Sequence, residues 1–194
     1  MQIKNKDGEI IFESEDRKDE SGCIKVNLSG AELKYACLDG ANLAGADIRN
    51  AKLDYVWLDS ANLSYADLEE SSLAMGNMGS ANFFRANLKN ADLYGSFLNM
   101  ANFQEANLEG VNLQGSNLAQ ANLRGANLTN ANLGPDNTGV ETALHSADLT
   151  NSKIDGACFN QARYDMFTIF PEGFNPKEHE MQLDTISDPQ VGLD

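Results

Sequence analysis

From Leu28 to Leu133 a large apolar residue returns at every fifth position, 22 times in succession, with Ile48, Met78, Phe83 and Phe103 standing in for leucine. Two residues before each sits a small one, Ala in 15 of the 22 cases. The position between them is Asn 13 times and Asp three times, as at Asn42, Asp67 and Asn122. A period of five suits no amphipathic helix, because successive leucines would rotate by about 140° and smear around the axis. In a straight strand an odd period sends alternate leucines to opposite faces. To keep them all inside, the chain must bend once per repeat and coil. The small residue and the leucine then both point inward, the Asn or Asp between them points out, and the last two residues form the corner.

Coils stacked at strand spacing, about 4.8 Å, pair backbone groups between turns. Proline would interrupt that ladder, and all four prolines, Pro135, Pro171, Pro176 and Pro189, lie outside 26–133. Periodicity alone leaves three-, four- and five-sided coils open. The repeats Ala41-Asn42-Leu43-Ala44-Gly45, Ala121-Asn122-Leu123-Arg124-Gly125 and Ala126-Asn127-Leu128-Thr129-Asn130 resemble those of the pentapeptide-repeat proteins, with the A(N/D)LxG form of cyanobacterial members. The resemblance implies an all-β fold, a right-handed quadrilateral β-helix with four repeats per coil.

The register fails at Gly134-Pro135-Asp136-Asn137-Thr138-Gly139-Val140-Glu141 and resumes at Leu144, Leu149, Ile154, Phe159 and Tyr164. The 11-residue step from Leu133 to Leu144 reads as one repeat replaced by a loop plus one inserted residue. Counted so, the chain makes about seven coils, roughly 30 Å long. Three segments follow: an N-terminal cap over 1–25, with a hairpin from Gln2-Ile3-Lys4 and Glu9-Ile10-Ile11-Phe12; the β-helix over 26–164 with its loop at 134–141; and a C-terminal cap with an acidic tail over 165–194. In the last segment Tyr164, Phe167, Ile169, Phe170 and Phe174 gather around Pro171 to cover the final coil. From His179 onward the chain is acidic and poorly patterned, the signature of disorder.

With four repeats per coil, residues 20 apart stack. One column then reads Arg49, Glu69, Lys89, Glu109, alternating in sign, and another Asn42, Asn62, Asn82, Asn102, Asn122, whose amides can bond along the stack. The main departure from the motif is a corner column Tyr35, Tyr55, Met75 beside an outward column Cys37, Trp57, Asn77, Phe97. With Asp39, Asp54 and Asp59 nearby, Tyr35, Tyr55, Trp57, Met75 and Phe97 form a candidate partner-binding surface.

Catalytic chemistry is missing from the pattern. His145 and His179 have no second ligand at metal spacing, so neither a metal nor a cofactor is expected. His145, Ser146 and Asp148 carry the residue types of a hydrolytic triad, but neighbouring solenoid positions diverge. A narrow rod filled with leucine has no cleft to tune carboxylates. The 29 acidic residues against 14 Lys and Arg give a charge of −15, which argues against nucleic-acid or anionic-membrane binding and makes a basic partner the expectation for any charge-driven contact. No segment approaches the roughly 20 apolar residues of a membrane span. An N-terminus without an apolar signal core, and three unpaired cysteines, point to the cytoplasm.

The functional expectation is a non-enzymatic protein–protein interaction scaffold, acting as a monomer. The resemblance implies that such a rod could modulate a bacterial regulatory protein by surface contact. The alternative is the DNA mimicry of some family members, acidic rods that bind DNA gyrase or topoisomerase. The charge distribution disfavours it: the body over 26–164 is net −7 and the segment from Asp165 onward −6, whereas about 30 Å of duplex DNA carries roughly 18 charges.

Overall fold

The described chain, residues 2–13 and 26–185 of a computed structural model, coils with a 20-residue turn. Asn27 bridges to Asp47, Asp47 to Asp67, Asp67 to Asn87, and three sister columns run the same way through Glu32, Cys37 and Asn42, all parallel. Four rungs per turn make the coil four-sided, as the resemblance implies. Almost every rung is one residue wide, because a corner follows every fifth residue and leaves no room for a longer strand. Two bonds close each rung: for the first, Leu28 N–H donates to Asp47 O at 2.7 Å and Asp47 N–H to Val26 O at 3.0 Å.

At each corner the residue after the turn donates back to the central apolar residue, as Ala31 N–H does to Leu28 O at 3.0 Å. The fifth residue of the repeat takes a positive φ, at Gly45 (66°) and equally at Asn50 (56°), Arg85 (55°) and Met100 (61°). That conformation costs a non-glycine residue about 1–2 kcal/mol, so many corners carry a penalty that the ladder overrides. Met100 is 57 % exposed. Met100→Gly is therefore expected to raise stability by up to about 1 kcal/mol after glycine's own entropy cost, read as a higher urea midpoint with unchanged slope.

Inside, the leucines and nearly all the alanines of the repeats are buried, and Phe83 and Phe103 stack one coil apart at 4.8 Å with rings 5° from parallel. Three inward serines, Ser71, Ser96 and Ser116, give their hydroxyls to the carbonyls of Leu68, Leu73 and Leu113 at 2.7–2.9 Å. Outside, the expected amide ladder is present: each Asn Nδ2 from Asn62 to Asn122 donates to the Asn Oδ1 one coil below, at 3.0–3.4 Å. The charge ladder is present only in its second half. Lys89 pairs with Glu109 at 2.9 Å, but Arg49 turns sideways to Asp47 at 2.7 Å and to Asp67 at 3.5 Å. Asp47 sits two residues away and accepts from both Nε and Nη2 of Arg49, a two-pronged pairing that outcompetes Glu69.

The loop corrects the sequence reading. Asn117 pairs with Ala143 and Asn132 with Cys158, each 26 residues on rather than 20. The break is thus a six-residue insertion between adjacent repeats, with no repeat lost. It is anchored by Asp136, whose carboxylate accepts from Thr138 and Val140 N–H at 2.8 Å and from the Tyr94 hydroxyl at 3.1 Å. Gln114 holds Pro135 O at 2.8 Å. Burial would raise the Asp136 pKa, but these donors outweigh it and hold the carboxyl below its ordinary value.

Both ends extend the same wall. Strands β1 (Gln2–Asn5) and β2 (Ile10–Glu13) form the expected hairpin, and β1 lies antiparallel on β3 (Ala36–Cys37), with Ile3 buried against the first coil. Residues 1 and 14–25 lie outside the described residues. At the other end β4 (Arg163–Tyr164) is joined in parallel by β5 (Gln182–Leu183) after a 3₁₀ turn, Pro176–His179. Tyr164, Phe170 and Phe174 pack on the core, whereas Phe167 and Ile169, expected to join them, are more than half exposed. They sit where one further residue is inserted, Asp148 pairing with Ile169.

The disorder expected from His179 does not hold through residue 185. Met181 is buried, and Asp184 is gripped by Arg163 at 2.5 Å and His145 at 2.5 Å. Residues 186–194 lie outside the described residues. The hydrogen bond from Arg163, then that from His145, hold the Asp184 carboxyl below its usual range. A depressed carboxylate stabilises fully above its ordinary pKa, about 4, and loses that contribution as pH falls through the lower folded value. Acidification below about pH 4 is therefore expected to free β5 first. Hydrogen exchange at the Gln182 and Asp184 amides should rise there, and Asp184→Asn should abolish that pH dependence.

Candidate functional site

The repeat places one large departure from its own pattern on the wall of β3. In the left-handed corner column Tyr35, Tyr55 and Met75 take φ near 60°, and the rings of Tyr35 and Tyr55 stack at 5.1 Å, 16° from parallel. The column ends at Gly95, where a Cβ would lie 2.4 Å from Met75 Sδ. A side chain there would displace Met75, so this glycine is needed for space as well as for its φ of 62°. On the adjoining face Trp57 bridges to Asn77 and Asn77 to Phe97. Asn separates the two aromatics by about 4.8 Å of rung on each side, leaving a dip between them.

Tyr35, Tyr55, Trp57, Met75 and Phe97 line one groove of about 500 Å³, together with Val56, Asn77, Asn99 and Lys6. The size is within the roughly 300–1,000 Å³ of ligand clefts. The five large apolar side chains are 42–56 % exposed; Tyr65 and Met100 on the coil wall are as exposed, but neither lines this groove. Asp39, Asp54 and Asp59 do not line the groove. Asp39 accepts the Asp59 N–H at 2.8 Å, Asp59 accepts from Ser60, and Asp54 is held by Lys34 at 3.6 Å and by the Ser72 hydroxyl. Each is occupied in holding corners or neighbouring cations. Lys34 also stands 5.8 Å over the Tyr55 ring.

Sequence reasoning missed Lys6 and Asn99. Lys6 arrives because the hairpin pairs onto β3, which no repeat register encodes. Asn99 had no signal beyond its stacking near Asp39 and Asp59. Tyr65 and Phe84 meet edge-on at 5.6 Å with Arg85 over Phe84 at 5.0 Å, a packed pair on another face.

No catalytic set assembles from the triad-like residues. Ser146 gives its hydroxyl to Asp165 at 2.9 Å, His145 meets Asp184, and Asp148 holds Thr150 and Arg124. Serine and histidine therefore serve separate carboxylates, with no nucleophile–base contact. Burial opposes ionisation of Asp165, but bonds from Ser146, Thr168 and Phe167 outweigh it and lower its pKa. Among the described residues, no group of three or more His, Cys, Asp or Glu could hold a metal ion, and no helix is long and apolar enough to cross a membrane.

A four-sided solenoid of five-residue sides, packed with leucine and carrying an apolar groove on its wall, defines a class of repeat protein. The model of the pentapeptide repeats family matches in eight copies over 27–64, 61–99 and 101–134, more than half of the chain, and the chain belongs to that family. Its members fold as right-handed quadrilateral β-helices and are generally non-enzymatic. Among solved structures, the pentapeptide repeat protein alr5209 from Nostoc PCC 7120 is 35 % identical over 56 % of this chain and 84 % of its own, with a TM-score of 0.51. HetL of the same cyanobacterium, a protein involved in heterocyst differentiation regulation, is 29 % identical over 82 % and 70 %, with a TM-score of 0.42. QnrB1, a plasmid-mediated fluoroquinolone resistance protein, is 19 % identical over 83 % and 80 %, TM-score 0.42. No curated protein matches the chain.

Proposed function

We propose that this protein is a non-enzymatic interaction scaffold in the cytoplasm, a single-chain rod that regulates a partner protein by seating part of it in the Tyr35–Phe97 groove. The observation that carries the reading is the gathering of five large exposed side chains, Tyr35, Tyr55, Trp57, Met75 and Phe97, around one groove. Exposed aromatics clustered beside half-desolvated pockets are where binding energy concentrates. The rest of the rod supports the site: about seven coils, closed by the β1–β2 hairpin at one end and by Tyr164, Phe170 and Phe174 at the other. The exposed free thiols of Cys37 and Cys158 suit a reducing compartment.

The wall does not favour DNA mimicry, since acids are interleaved with bases in the pairs Lys52–Glu32, Arg85–Glu105, Lys89–Glu109 and Arg124–Asp148. The test compares affinity capture by wild type and by Trp57→Ala at matched circular dichroism. Loss of the captured protein, at a cost of about 2 kcal/mol or more in affinity, is expected for a central aromatic anchor. Equal capture by the two would overturn the groove as the partner site.

A further inference from the structure

We infer that the groove takes an extended peptide segment in which a large apolar residue is flanked by an Asp or Glu, with Lys6 as the counter-ion of that carboxylate. The inference rests on the groove being the partner site and adds the chemistry of what enters it.

Besides the Tyr35, Tyr55 and Trp57 side chains, with their own polar tips, three polar side chains line the groove, Lys6, Asn77 and Asn99, and none of these three is committed elsewhere among the described residues. Lys6 makes no ion pair among the described residues; Lys4, Lys153 and Lys177 make none either, but Lys6 is the lysine that lines the groove. The side-chain amide of Asn77 is also without a partner among the described residues. Elsewhere along the walls the outward Asn Oδ1 caps the N–H two residues on, as Asn82 does for Phe84 and Asn117 for Ala119, or receives the next amide. Asn77 can join no amide ladder, because its column neighbours are Trp57 and Phe97. Asn99, on the next corner, is likewise unpaired among the described residues.

These groups set the chemistry of the occupant. Two free amides offer donors and acceptors to a peptide backbone, the aromatic and Met75 faces take a large apolar side chain, and the one charge lining the site is positive. Asp39, Asp54 and Asp59 lie outside the groove and are already bonded. At physiological ionic strength the Debye length is about 8 Å, so the overall charge of −15 acts weakly on a carboxylate in direct contact with Lys6.

Trp57 is the sole tryptophan, so its emission reports occupancy directly. The probes are two capped peptides, acetyl-Gly-Glu-Leu-Phe-Asp-Gly-amide and its counterpart with Lys in place of Glu and Asp. On the full chain, the acidic peptide is expected to bind about tenfold more tightly than the basic one. Lys6→Glu, in an exposed hairpin turn, should reverse that order, and Phe97→Ala should weaken the acidic peptide without changing its lead over the basic one. Equal affinities that still depend on Phe97 would overturn the carboxylate inference while leaving the groove intact. No change in Trp57 emission with either peptide would overturn the inference also, and the capture comparison with Trp57→Ala would then decide the groove by itself.

Discussion

Phe103→Ala is expected to cost about 3–5 kcal/mol, the upper range for emptying a buried site. Phe103 is fully buried and stacks on Phe83 one coil below. The void cannot collapse easily, because the wall around it is tied on both sides: Phe103 N–H donates to Asn122 O at 2.7 Å and Ala106 N–H to Phe103 O at 3.0 Å. Nor do neighbouring leucines have slack, since each fills its own rung. Phe103→Leu restores the usual residue of the repeat and should cost less than about 1.5 kcal/mol. Urea unfolding at 25 °C checks both values. A loss below about 1 kcal/mol for the alanine variant would mean that the core is not close-packed at this level.

The second large effect concerns Thr142, which is fully buried where the six inserted residues rejoin the coil. In an undisturbed turn the corner N–H donates to a carbonyl in the next coil, as Gly95 does to Gln114 at 2.9 Å. At Gly115 the insertion has displaced that carbonyl, and the Thr142 hydroxyl replaces it, accepting the N–H at 3.1 Å. The same hydroxyl shares its proton between Leu113 O at 2.9 Å and Gly134 O at 3.0 Å. Thr142→Val keeps the shape and strands the Gly115 donor, so about 1–3 kcal/mol should be lost. Thermal unfolding measures the loss, and hydrogen exchange at Gly115 should accelerate. Thr142→Ser, which retains the hydroxyl, should recover most of it. A neutral valine would show that the loop does not depend on this repair.

Sequence alone was enough for the coil, because every one of its constraints is local and repeated: a small residue, an outward amide, a leucine and a corner, in step for 22 repeats. It was also enough for the apolar half of the groove, since Trp57 and Phe97 break a column that should hold Asn or Asp. It failed where partners are chosen between segments. An 11-residue step from Leu133 to Leu144 fits either a lost repeat plus one residue or a six-residue insertion, and only the pairing of Asn117 with Ala143 distinguishes them. Asp39 and Asp59 each follow the outward column, at Cys37 and Trp57, by two residues, yet neither lines the groove. Lys6 reaches the groove through pairing of β1 with β3, an antiparallel contact outside the repeat. The terminal strand β5 was read as disorder because its hold comes from single residues, Met181 and Asp184, with no period to announce them.

The hairpin and β5 add rungs to opposite ends of the same wall, so the described chain begins and finishes on one continuous column of hydrogen bonds. Those bonds run along the rod, the direction in which a tether at either terminus would pull. Tension would then meet one rung at a time instead of shearing many together, and the molecule should unravel stepwise from its extremities at low force, paying out chain like thread from a spool.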